Sequence, residues 1–117
     1  MTHLLHTWME LPVESPLAGI DRRRVIGEQA MISHITLKQG TQVPAHSHSN
    51  EQFAIVVSGL IRFELEHSDS RGLESIDVRA GQVLHLPADL QHAATALEDT
   101  VILDVFSPPS ESTGIDE

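Results

Sequence analysis

Read for its alternation of apolar and polar positions, the chain is a series of short strands. From Ala30 to Lys38, Met31, Ser33, Ile35 and Leu37 fall on one side and Ile32, His34 and Thr36 on the other. Phe53 to Val57 is a brief apolar run closed by Ser58-Gly59, and Leu60 to Glu66 sets Ile61, Phe63 and Leu65 against Arg62, Glu64 and Glu66. Two strands about a Ser-Gly turn predict a hairpin. Ser75 to Arg79 and Gln82 to Leu86 flank Ala80-Gly81 as a second. Pro87-Ala88-Asp89 turns the chain, and Thr100 to Phe106 forms the last strand, with Ile102, Asp104 and Phe106 on one face. No segment carries a helical period. Seven or so short strands, spaced by about 8–12 residues, predict an all-β sandwich or barrel.

Outside that pattern the chain is read differently. Residues 1–20 are irregular, broken by Pro12, Pro16 and Gly19, with Leu4, Leu5, Trp8 and Leu11 wanting burial, as at a subunit interface. The basic run Arg22-Arg23-Arg24 is expected to be a solvated loop; the rival expectation folds one arginine over a pocket mouth to hold an anion. Residues 21–110 form the body of the fold, and 111–117 a flexible tail, because Ser107-Pro108-Pro109 onward cannot continue a sheet.

Composition narrows the function classes. The 117 residues support one domain with a real core. Seventeen acidic residues against 7 basic ones, a formal charge of -10, repel phosphate backbones and anionic membranes, so neither nucleic acid nor membrane is expected as a partner. Cysteine is absent, which removes disulfides, thiolate catalysis and thiolate metal ligation. Met1 to Pro12 has no basic start followed by an apolar core, and no apolar run approaches the roughly 20 residues of a membrane span. The expectation is a soluble, cytoplasmic protein.

Candidate chemistry gathers in Pro44-Ala-His46-Ser-His48-Ser-Asn-Glu-Gln52. His46 and His48 leave the same face of an extended strand and can reach one point. Gln52 adds an amide oxygen, and His92, beyond the Pro87 turn, brings a third imidazole. Three nitrogens and one oxygen suit a divalent transition metal (Ni, Zn, Mn, Fe or Co). Asp104, a carboxylate on a strand apolar on both faces, either lines a pocket or needs a specific partner. His34 and His85 are expected at core or edge positions, and His3, His6 and His67 in solvent.

These spacings resemble a known signature. Gly40, five residues, His46-x-His48, three residues, Gln52, six residues and Gly59 look like the first cupin motif, with Gln52 where Glu is usual. Gly81, five residues, Pro87-x-Asp89, two residues and His92 resemble the second, with Asp89 where Gly is common and Ala96 where Asn is common. The resemblance covers residues 20–110. It implies a double-stranded β-barrel of the jelly-roll kind, with His46, His48, Gln52 and His92 as metal ligands near the open end. A finer similarity, in His46 to Gln52 and Ala96 to Pro109, is to KdgF-type pectin-degradation cupins, which convert 4,5-unsaturated uronate monosaccharides to linear keto-acids. In that family the positions of Asp104 and Phe106 line the active site, and an Arg follows where this chain has Ser110. Arg62, or one of Arg22 to Arg24, is then needed for a substrate carboxylate.

The leading expectation is a metal-dependent enzyme on a small sugar acid, with Asp104 as acid/base. The alternatives are an iron-dependent dioxygenase and a non-catalytic ligand-binding module. The resemblance also implies a homodimer joined through one sheet face and the N-terminal segment.

Overall fold

A computed structural model describes residues 4–113. His3 and residues 114–117 lie outside the described residues. Nine strands are present among them: β1 Ile20–Ile26, β2 Met31–Leu37, β3 Gln42–His46, β4 Glu51–Ser58, β5 Leu60–Glu66, β6 Leu73–Arg79, β7 Val83–Leu86, β8 Gln91–Ala96 and β9 Thr100–Ser107. They form a five-stranded sheet, β1-β2-β9-β4-β7, facing a four-stranded sheet, β3-β8-β5-β6, with every pairing antiparallel. The architecture is the expected all-β jelly-roll barrel.

Alternation places the core. Ile61, Phe63 and Leu65 of β5 are buried, as are Ile35 and Leu37 of β2 and Ile102 of β9, so the inward faces of the two sheets meet over one cluster. With Phe63 as its one aromatic member, that cluster is mainly aliphatic.

Neither predicted hairpin forms. The Ser58-Gly59 turn carries the chain from β4 in one sheet to β5 in the other, and Ala80-Gly81 does the same between β6 and β7. A corner and a hairpin share the same pattern of inward residues, so alternation cannot separate them. Gly59 shows what the corner requires: φ is +93°, and a Cβ there would lie 2.3 Å from the Asp99 carbonyl oxygen. The local antiparallel pairs are instead β1 with β2 and β5 with β6.

The arginine run is also not a loop. Arg22, Arg23 and Arg24 belong to β1, where Ile20, Arg22 and Arg24 share the inward face. Before it, Trp8–Glu10 make one 3-10 turn, with Trp8 packed on His34 at 5.3 Å, while Leu4 and Leu5 are exposed. Beyond β9 the tail does not leave the body at once: Thr113 is buried and Glu111 accepts a hydrogen bond from Arg24. No helix among the described residues is long and apolar enough to cross a membrane.

Candidate metal centre

Three histidines converge where β3 meets β8. His46 is the register partner of His92, and His48 follows in the β3–β4 loop. The loop is tied down from the other side, because the Asp89 N–H donates to the His48 carbonyl at 2.9 Å. Asp89 sits at φ +67°, the left-handed region for which glycine is the usual choice and which Asp tolerates better than most residues.

Each imidazole has its tautomer set by a nearby carbonyl. Nδ1–H donates to Pro44 O at 2.9 Å in His46, to Asn50 O at 3.0 Å in His48 and to Leu90 O at 2.9 Å in His92. A carbonyl only accepts, so Nδ1 carries the proton and each Nε2 lone pair is left for the site. Ligand atoms of the three lie within 4.8 Å of one another. Two nitrogens on one ion lie up to about 4.2 Å apart, so closure needs little movement. Burial lowers the His46 and His92 pKa values, the latter to about 4, against the raising effect of the carbonyl bonds. Both are therefore neutral at pH 7, the form that ligates.

Gln52 lies beside them. Its Nε2 donates to Asp104 Oδ1 at 2.9 Å, which turns Oε1 toward His48 Nε2 at 3.1 Å. That contact is favourable with a proton on Nε2 or with a cation shared by the two atoms. The three histidines could hold a divalent metal, with the Gln52 oxygen beside them.

Asp104 is 6 % exposed, and burial pushes its carboxyl up to about 7, offset only in part by the Gln52 bond. Phe106 is its neighbour on the inner face and meets the His48 ring edge-on at 5.6 Å. Both border a cavity of about 60 Å³, bounded also by the histidines, Arg22, Arg24 and Thr113. At about 10–15 Å³ for each water by this measure, it holds a few waters or one small molecule.

Arg62 is elsewhere. It lies on the outer face of the four-stranded sheet, 45 % exposed at its side chain, and pairs with Asp77 at 2.7 Å. Ser110, where the resemblance has Arg, donates to the Ser112 carbonyl and does not border the cavity. The cationic groups at the cavity are Arg22 and Arg24 of β1, clasped by Glu14: Arg24 holds it at 2.8 Å through Nε and again through Nη2, and Arg22 Nε reaches it at 3.3 Å. Outside the cavity, His85 bonds Glu51 and stacks on Phe53, and the His67 ring is largely covered and hydrogen-bonded to Glu74 rather than solvated. The alternation of Ile20, Arg22 and Arg24 was the signal for β1, masked by its charge.

The cupin domain family matches residues 33–106. The chain is a cupin. Solved structures similar to this cupin include an RmlC-like cupin from Shewanella frigidimarina NCIMB 400, 21% identical over 94% of this chain and 95% of that one, with a TM-score of 0.82. KdgF from Halomonas sp. is 26% identical over 94% of this chain and 97% of its own, with a TM-score of 0.81. Lactobacillus farciminis oxalate decarboxylase in its formate complex is 22% identical with a TM-score of 0.82, and this cupin spans 35% of that longer chain. None of the curated proteins matches in sequence.

Proposed function

We propose that this cupin opens a 4,5-unsaturated uronate monosaccharide to its linear keto-acid. The observation that carries the reading is the Asp104 carboxyl, buried at the cavity and one hydrogen bond from Gln52. The likeness to KdgF over nearly the whole of both chains adds support.

The reaction is an isomerisation that needs two proton transfers. The anomeric hydroxyl loses its proton as the C1–O5 ring bond breaks, giving an aldehyde at C1 and an enolate at C5. The enolate then takes a proton at C4 and becomes a ketone, so no atom or electron is gained or lost. A carboxyl whose pKa lies near 7 can accept the first proton and deliver the second. Asp104 fills that role, and Gln52 holds it in place. A divalent metal held by His46, His48, Gln52 and His92, all neutral, would keep its full charge and supply Lewis-acid polarisation of a substrate oxygen. Phe106 walls the cavity beside His48.

The test is loss of the alkene absorbance of unsaturated galacturonate or guluronate monomer, incubated with metal-loaded protein and compared with the uncatalysed rate. Acceleration abolished by chelator is expected; none from fully loaded protein removes the activity. The same reading takes the protein as a cytoplasmic homodimer joined through the outer face of the five-stranded sheet, where Ile32 and Val57 are 40 % and 50 % exposed. Sedimentation as a monomer at micromolar concentration would remove the dimer.

A further inference from the structure

The polar groups of the cavity do not all gather at the histidines. One row of the five-stranded sheet crosses its inner face as Arg24 on β1, Ser33 on β2 and Asp104 on β9, each the register partner of the next. Flanking rows are apolar over the same two central strands: Ile35 and Ile102 on one side, Met31 and Phe106 on the other. At its Asp104 end the row meets Gln52, whose amide donates to the carboxylate.

Ser33 is the informative member. It is 1 % exposed, it borders the cavity, and its Oγ has no hydrogen-bond partner. A buried hydroxyl left alone is destabilising, and alanine would avoid the cost. The position has a use for a hydroxyl only if something in the cavity meets it.

Arg24 stands beside it. Nε and Nη2 are turned to Glu14, and Nη1 donates to Glu111 O at 2.8 Å, which leaves one N–H on each terminal nitrogen. Arg22 shares the same carboxylate. The two remaining N–H groups of Arg24 are charge-assisted donors, a pair that the oxygens of a carboxylate match.

We infer that Arg24 and Ser33 form a second recognition subsite: Arg24 takes the carboxylate of a small hydroxy-acid, and Ser33 Oγ bonds an oxygen next to it. The far end of the ligand then lies against Asp104 and Gln52. From Arg24 to Asp104 is two strand spacings, roughly 10 Å, which suits an acid of five or six carbons better than a two-carbon one. The subsite supplies the cation that Ser110 and Arg62 do not. It rests on the uronate reading for the identity of the acid, but not for its class.

The test uses unreactive ligands, so it stands apart from turnover. Galacturonate, its uncharged methyl ester and the simpler acid glycerate are titrated calorimetrically into nickel-loaded protein. Wild type is expected to bind galacturonate at least tenfold more tightly than the ester. Arg24→Gln should erase that preference while the ester binds as before, and Ser33→Ala should weaken galacturonate severalfold. Glu14→Gln gives the opposite sign, because removing the internal carboxylate should strengthen galacturonate binding; a merely structural clasp would weaken it. Wild type that binds neither acid, or an Arg24→Gln protein of native circular dichroism that keeps its preference for charge, overturns the subsite. So does weaker binding in a folded Glu14→Gln protein. If the acids bind as expected but the unsaturated uronate is not consumed, the subsite stands and the activity falls.

Discussion

The two polar ends of the cavity are built by different means. At the histidine end, each imidazole is held by a carbonyl two residues away: His46 by Pro44, His48 by Asn50 and His92 by Leu90. At the arginine end nothing is local, and Arg24, Ser33 and Asp104 meet only because β1, β2 and β9 pair in one register. A one-residue slip would turn every inward side chain of that row outward. The carbonyl anchors depend on the conformation of short segments instead. The first end is a motif; the second is a property of the sheet.

Breaking each end should have distinct consequences, and the largest is at the histidines. His48→Ala is expected to reduce bound metal from about one per chain to near zero, read by elemental analysis, because one of three imidazoles is lost. Retained stoichiometric metal would refute the ligand set. Next is Asp104→Asn, which keeps an oxygen to accept from Gln52 but cannot carry a proton. Metal content should stay, while turnover of the unsaturated uronate drops by about 10²–10⁴. Undiminished turnover takes Asp104 out of the reaction.

A pH titration of the metal-free protein separates the two ends more gently. His92 has a folded pKa of about 4, below its ordinary 6.5, so on acidification the unfolded chain takes up the proton first. The stability it contributes is complete above pH 6.5 and is lost as pH falls toward 4. Glu14 is also lowered, since the bonds from Arg24 and Arg22 outweigh its burial. Its contribution is present above 4.5 and fails only below that. Thermal melts should therefore show His92→Ala flattening the slope between pH 6.5 and 4, and Glu14→Gln altering only the more acidic region. Identical profiles for the two variants would contradict the separation. The smallest effect is expected from Arg62→Ala, which should leave galacturonate affinity within about twofold, because that side chain lies on the outer face. A tenfold loss by calorimetry would return Arg62 to the ligand.

What was legible follows the same division. The His46-x-His48 spacing and the Pro87 turn before His92 announced the histidine cluster, because each imidazole's anchor lies within its own short segment. Strand β5 was readable to the residue, since Ile61, Phe63 and Leu65 obey strict alternation. Strand β1 was not, because its inward positions carry Arg22 and Arg24, and charge normally marks solvent. Here Glu14, brought back by its bridge to Arg22, makes their burial tolerable. Ser33 was visible as a polar residue among Met31, Ile35 and Leu37, but its meaning needed the cavity.

The chain by itself determined an all-β barrel, the inward face of most strands and the histidine cluster, because side-chain period and close spacing are properties of local backbone. Which strands pair, that Gly59 and Gly81 turn between sheets, and that Arg24, Ser33 and Asp104 stand in one row were decided only by the tertiary structure. Those facts depend on hydrogen bonds between residues as far apart as Ser33 and Asp104, and no local pattern encodes a partner at that distance.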